Sequence, residues 1–302
     1  MILPVLALAL LLGGGLYYWK TTPPGMLSDY DALWGGGSGA QRVASGLAFG
    51  SHGQRLDIWR PEAASGEADA KAERLPVLIF WYGGGWAHGA REDYAFAARA
   101  FARAGYLVIM PDYRKVPDNV FPDFLIDAAE AVRWTQDHAG EYGGDTDRMA
   151  VAGHSAGAHL ALMVTLDRHW LADAGADSDT IKAVVGLSGP YDFLPFTSDR
   201  AVAAFGHLDD PLLSQPIHFA RADAPPMLLV TSTKDTTVRP RNAINLAARQ
   251  NALGTSARLI NYDGLDHEET VMALSKPFRG KAPVLRDSLA FLSETIGTVP
   301  VP

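Results

Sequence analysis

Met149-Ala150-Val151-Ala152-Gly153-His154-Ser155-Ala156-Gly157-Ala158-His159-Leu160-Ala161-Leu162-Met163 decides how this chain is read. The apolar run 149–152 is a strand candidate, and 158–163 favours a helix. Between them stands G-x-S-x-G, over Gly153 to Gly157. A strand that turns sharply into a helix at a serine lifts that hydroxyl clear of the sheet. The glycines are required because the turn brings backbone too close for a Cβ. Ser155 is therefore the candidate nucleophile. A free hydroxyl is a poor nucleophile at neutral pH, so it needs a base, and the base needs a partner.

Outward from this stretch the chain alternates strand and helix. Val77–Trp81, Tyr106–Met110, Ala183–Leu187, Met227–Thr231 and Ala257–Tyr262 read as strands, the first two being apolar enough to be buried on both faces. Helices are expected over about Asp93–Ala104, Phe121–His138, Asn242–Asn251 and Val284–Thr295. Repeated βα units predict an α/β fold with a mostly parallel central sheet and helices on both faces. Leu56–Trp59 reads as an edge strand, Thr21–Gly50 as a linker and lead-in, and Ala63–Arg74 as an exposed loop. The expected division is residues 1–20 as a hydrophobic segment, 21–50 as linker, and 51–302 as the catalytic domain. The stretch between Leu187 and Met227 has room for a small cap at most.

In such sheets ligands bind beyond the carboxyl ends of the strands, and the candidate residues lie there. His267 follows the last strand after Asp263-Gly264-Leu265-Asp266 and is the expected base. His154 adjoins Ser155 but should point away, and His159 should face packing neighbours. Asp235 follows the strand ending at Thr231 and is the expected acid, which fixes the imidazole tautomer and stabilises the imidazolium. Asp192 is the runner-up. Tyr82-Gly83-Gly84-Gly85-Trp86 directly follows the strand 77–81. The N–H groups of Gly84 and Gly85, with that of Ala156, are the expected oxyanion hole. Trp86, Tyr191 and Phe193, with Trp81 and Phe196, are candidates for an apolar substrate wall, two or three of the five being core.

Taken together these motifs resemble the α/β-hydrolase superfamily. More narrowly, they are similar to the esterase branch shared by hormone-sensitive-lipase-like esterases, prenylcysteine methylesterases and kynurenine formamidases. The resemblance covers roughly Leu56 to Leu292 and includes Pro111-Asp112-Tyr113-Arg114 and Tyr142-Gly143-Gly144-Asp145. The order Ser…Asp…His is that of the superfamily. One departure is visible: the usual His-Gly-Gly-Gly motif here begins with Tyr82, whose hydroxyl would have to brace the loop. The resemblance implies ester hydrolysis through an acyl-enzyme; the short stretch between Leu187 and Met227 points to small or medium acyl chains, and the serine route calls for no cofactor or metal. The same residues would serve an amidase or formamidase. A non-catalytic, membrane-tethered protein on this fold is the third reading, against which the intact Ser155, Asp235, His267 and glycine loop argue. His267-Glu268 begins like H-E-x-x-H, but Val271 stands where the second ligand would be.

Composition narrows the partners. The 302 residues are 48% hydrophobic and 20% charged, as in an ordinary globular protein, and the net charge is −8 with no basic run, which argues against nucleic acid. There is no cysteine, so disulfides, thiolate metal sites and a cysteine nucleophile are excluded. Met1 to Trp19 carries no charged side chain and ends Tyr17-Tyr18-Trp19-Lys20. That pattern fits a membrane anchor with an interfacial belt, or else a cleaved signal. The expected location is accordingly membrane-associated or periplasmic, with a small-molecule ester as the partner.

Overall fold

The computed structural model describes residues 24–62 and 74–297. The anchor-or-signal segment 1–20 and nearly all of the expected loop 63–74 lie outside the described residues. Among those described, no helix is long and apolar enough to cross a membrane.

Eight strands form one sheet: β1 (Ala40–Phe49), β2 (Gln54–Pro61), β3 (Leu75–Trp81), β4 (Leu107–Pro111), β5 (Gly144–His154), β6 (Ile181–Leu187), β7 (Met227–Ser232) and β8 (Ala257–Tyr262). Their spatial order is β1-β2-β4-β3-β5-β6-β7-β8. The β1–β2 and β2–β4 pairs are antiparallel and all others are parallel. Every residue of β4 and β7 is buried, as are 76–81 of β3, so these strands are apolar throughout except for Thr231 and Ser232 at the end of β7. The chain winds one way from β3 to β4 and the other way from β5 to β8. The reversal opens a crevice beyond the carboxyl ends of β3 and β5, where this class of sheet takes its ligands.

The expected linker over 21–50 is corrected. It contains a helix, Pro24–Asp31, and the edge strand β1, so β2 is an inner strand and the folded unit begins well before residue 51. β1 carries no apolar run. Half of its residues are exposed and only its two ends are buried, and it is held by ladder hydrogen bonds and by Asp57 of β2. That carboxylate accepts from Arg42 at 3.1 Å and from the Gly46 N–H at 2.8 Å, where the chain takes φ +65°. The helix before it is fastened from several sides. Asp31 pairs with Arg99 at 2.9 Å and accepts the Lys276 N–H at 2.7 Å, while Ser28 Oγ donates to the Asp93 carbonyl at 2.7 Å.

A small cap lies between β6 and β7. Its helix, Asp199–Phe205, is capped by Ser198, whose Oγ accepts from the Ala201 N–H at 3.2 Å. Phe205 drives the cap into an aromatic cluster, 4.8 Å from Trp86 and 5.7 Å from Phe124 between ring centroids.

Candidate active site

Ser155 stands at the turn from β5 into the helix Ala156–Leu166, with φ 54° and ψ −120°. A side chain is strained there, so surrounding packing must impose the conformation. The Ser155 N–H donates to the Leu187 carbonyl at 2.9 Å, tying the turn to the end of β6. A Cβ on Gly157 would run into the Trp81 and Tyr82 carbonyls, and one on Gly153 into Gly157 itself. Gly157 is thus fixed by the close approach of the end of β3, and Gly153 by the tightness of the turn itself.

The structure brings Ser155, His267 and Asp235 into one chain. Ser155 Oγ lies 2.8 Å from His267 Nε2, and His267 Nδ1 lies 2.8 Å from Asp235 Oδ2. All three are buried. A carboxylate only accepts, so Nδ1 carries the proton and Nε2 is left to accept from the serine hydroxyl. The other oxygen of Asp235 accepts the N–H groups of Thr237 (3.1 Å) and Val238 (2.8 Å), which fix the carboxylate's orientation. His267 opens the helix His267–Met272, whose N-cap Asp266 and Glu269 form a reciprocal capping box. The Leu265 N–H donates to Ser232 Oγ at 2.9 Å, binding this loop to the end of β7. Asp192, the runner-up acid, accepts instead from Asn245 at 2.6 Å, on a different helix.

The glycine loop packs directly against the serine. A Cβ on Gly83 would lie 3.1 Å from Ser155 Cβ and 2.7 Å from His154 Nδ1. The Gly84 carbonyl accepts from Ala87 (3.2 Å) and His88 (3.1 Å), closing a tight turn. Gly84 has φ +142° and Gly85 has φ +61°. The N–H groups of Gly84 and Gly85 donate to no backbone carbonyl among the described residues. Ala156 begins a helix, where the N–H has no intrahelical acceptor. Three uncommitted donors thus belong to the loop and helix start that meet at Ser155. Such donors stabilise negative charge that develops on a carbonyl oxygen.

Tyr82 braces this loop. Its hydroxyl donates to Asp112 Oδ1 at 3.1 Å and accepts from Lys115 Nζ at 2.9 Å, and its ring stacks on Tyr113 at 4.6 Å. Desolvation holds the Tyr82 phenol well above its ordinary pKa and the Lys115 ammonium below its own. Arg91 bridges Asp112 to Asp57, so the bracing continues into β2. The strand-end Asp112-Tyr113-Arg114 is structural, as expected: Arg114 pairs with buried Asp127 at 2.8 Å.

Of the expected substrate wall, Phe193 is half-buried and Trp86 nearly buried, the two rings stacked at 5.9 Å. Tyr191 and Trp81 are corrected to core. Both are fully buried, and the Tyr191 ring is turned in against Gly186 and Gly189, which leave it room. His159 faces packing neighbours, as expected. It meets Trp86 edge-on at 5.3 Å, its Nε2–H donates to the Ser214 carbonyl at 2.8 Å, and burial lowers its pKa to about 4.

Two residues of the site were not legible as such. His154 points away from Ser155, as expected, yet its Nε2–H donates to the His267 carbonyl at 3.2 Å and its Nδ1 accepts from Tyr94 Oη at 2.9 Å. Burial first, then the neighbouring His267, hold its pKa well below the ordinary value, so the ring is neutral. Lys115 is the second. Only the substitution at Tyr82 hinted that some new partner was needed there.

The BD-FAE family model matches residues 56–249. Esterase LipC of Mycobacterium tuberculosis is 30% identical over 222 residues, covering 67% of this chain and 53% of LipC. The probable isoprenylcysteine alpha-carbonyl methylesterase ICMEL1 of Arabidopsis thaliana is 27% identical over 75% of this chain and 50% of its own length. The chain spans about half the length of the curated relatives it matches. Among solved structures, apo Thermogutta terrifontis esterase 2 superposes with a TM-score of 0.71 at 24% identity, covering 87% of this chain and 97% of that one. The Pyrobaculum calidifontis esterase gives 0.69 at 22% identity, with 91% and 93% covered. The shared architecture is the α/β-hydrolase fold.

Proposed function

Since the chain belongs to the BD-FAE family, we propose that it is a serine hydrolase cleaving carboxylic esters of small to medium acyl chain. The observation that carries this reading is the unbroken Ser155–His267–Asp235 chain, with both links at 2.8 Å. The esterase names of its relatives support the same reading.

The residues would act as follows. His267 Nε2 takes the Ser155 proton as Oγ attacks the ester carbonyl. The N–H groups of Gly84, Gly85 and Ala156 hold the resulting oxyanion. The imidazolium, stabilised by Asp235, protonates the leaving alcohol, and an acyl-serine remains. Water attacks that acyl group, giving its proton to Nε2, and the second tetrahedral intermediate collapses to free acid and Ser155. Trp86 and Phe193, closed from behind by Phe205 and His159, make a short apolar wall that suits a modest acyl group.

The test is hydrolysis of p-nitrophenyl esters from acetate to laurate by the wild type and Ser155→Ala. Turnover that peaks at short chains and vanishes in the variant is expected. Equal rates in the two proteins would sink the assignment, and cleavage of an aryl formamide in preference to the matching ester would move it to amide chemistry.

The uncharged stretch Met1–Trp19 supports, as a second part of the proposal, a protein held at a membrane or exported. Fractionating cells that express the full chain, beside a chain lacking 1–20, tests it. Recovery of both in the same fraction would count against it.

A further inference from the structure

We propose that Arg200 makes the mouth of this site a receptor for an anion on the substrate, so that favoured esters carry a carboxylate a few bonds from the scissile carbonyl. The proposal rests on the ester-hydrolase reading above.

Arg200 lies in the first turn of the cap helix Asp199–Phe205. That helix is firmly seated. Its Ala204 carbonyl accepts from the Phe121 N–H at 3.0 Å, His207 beyond it donates to the Phe121 carbonyl at 2.9 Å, and Phe205 packs on Trp86. The base of the Arg200 side chain is therefore fixed relative to the glycine loop. The side chain itself lies across Gly85: a Cβ there would be 2.7 Å from Arg200 Cδ and 3.3 Å from its Nη1. The guanidinium thus sits beside one of the three expected oxyanion donors, within reach of whatever occupies the hole.

This cation is also uncommitted. Arg200 makes no hydrogen bond or ion pair among the described residues. Arg42, Arg91, Arg99, Arg114 and Arg168 each pair with a carboxylate. Other arginines also lack a carboxylate partner among the described residues, for example Arg60, Arg239 and Arg249, but Arg200 is the one laid against the glycine loop. A guanidinium presents donors in a planar fork that matches a carboxylate. Its surroundings complete the specification. Trp86, Phe193 and Phe196 form an apolar wall, and Arg200 is the charge at its rim. An acyl group with an apolar middle and an anionic end, as in the monoester of a dicarboxylic acid, satisfies both.

The experiment compares kcat/KM for p-nitrophenyl hydrogen adipate with that for p-nitrophenyl heptanoate, and measures adipate binding by calorimetry. Arg200 is exposed, so a charge-assisted hydrogen bond there should contribute about tenfold rather than more. The wild type should favour the adipate ester, and Arg200→Gln should cut the adipate-to-heptanoate ratio about tenfold, chiefly through KM. Arg200→Lys should recover part of the ratio, and Arg200→Glu should reverse it. Raising NaCl to about 0.5 M should lower the wild-type ratio with no substitution at all. A ratio unchanged in Arg200→Gln, including an equal fall on both esters, would overturn the proposal alone. If the wild type cleaved neither ester, the hydrolase reading would fall. Arg200-dependent binding of adipate would then still uphold the anion site, and its absence would remove both.

Discussion

His154 Nε2 meets the backbone carbonyl of His267 at 3.2 Å, so the residue before Ser155 holds the main chain of the proposed base. Tyr94 Oη fixes the other side of the same ring, at 2.9 Å from Nδ1. With both nitrogens committed and the ring neutral, His154 is a rigid spacer between the nucleophile's turn and the loop that carries His267.

His154→Ala should therefore lower kcat about 10- to 100-fold with little change in KM, because a small displacement of the base costs rate rather than binding. Steady-state kinetics on p-nitrophenyl butyrate, with circular dichroism to verify folding, checks it. A variant with normal kcat would show that the helix after His267 positions the base unaided.

Tyr82→Phe keeps the stack on Tyr113 but removes the oxygen that joins Lys115 to Asp112. The half-buried ammonium then keeps only the Tyr113 carbonyl as a hydrogen-bond partner, and we expect a stability loss of about 1–2 kcal/mol. The glycine loop should also loosen, lowering kcat more than it alters KM. Urea unfolding and kinetics on the same sample separate the two effects. Lys115→Met in the Tyr82→Phe background should restore part of the stability, since the ammonium left with only the Tyr113 carbonyl is then gone.

Gly84→Ala should abolish turnover while leaving most of the protein folded. Its Cβ would collide with the His88 carbonyl, and φ +142° is closed to alanine. A folded, fully active Gly84→Ala protein would remove this loop from the oxyanion assignment.

Acid should destabilise the fold before it protonates most carboxylates. His159 has its pKa lowered from 6.5 to about 4 by burial. A depressed histidine binds its proton more readily when unfolded, so its contribution is intact above pH 6.5 and is lost as pH falls toward 4. For His159 alone the loss across that window is about 3 kcal/mol, and His154 adds in the same direction. Thermal melts at pH 7, 5.5 and 4.5 should show a steadily falling Tm. His159→Gln, which does not titrate, should flatten the slope. An unchanged slope would place the acid sensitivity elsewhere.

The site was readable in sequence because each functional side chain directly follows a strand, and strand ends are announced by apolar runs. Ser155, Asp235 and His267 sit beyond β5, β7 and β8, and the glycines beyond β3. β1 was not readable for the opposite reason. Ala40–Phe49 buries little, and pairing geometry rather than side-chain burial holds it. Tyr191 misled because an aromatic after a strand suggests a pocket wall. The space that swallows its ring is made by Gly186 and Gly189, whose glycines carry no pattern of their own. His154 and His267 are 113 positions apart, and no local pattern announces a contact that only the finished sheet creates.

Asp31 accepts from the side chain of Arg99 and from the backbone of Lys276, just beyond the helix that His267 opens. One carboxylate thus ties together segments 68 and 245 positions away from it in sequence. Lys276 lies a few residues past the helix His267–Met272, so the bond at Asp31 also anchors the far end of the segment that carries the His267 imidazole.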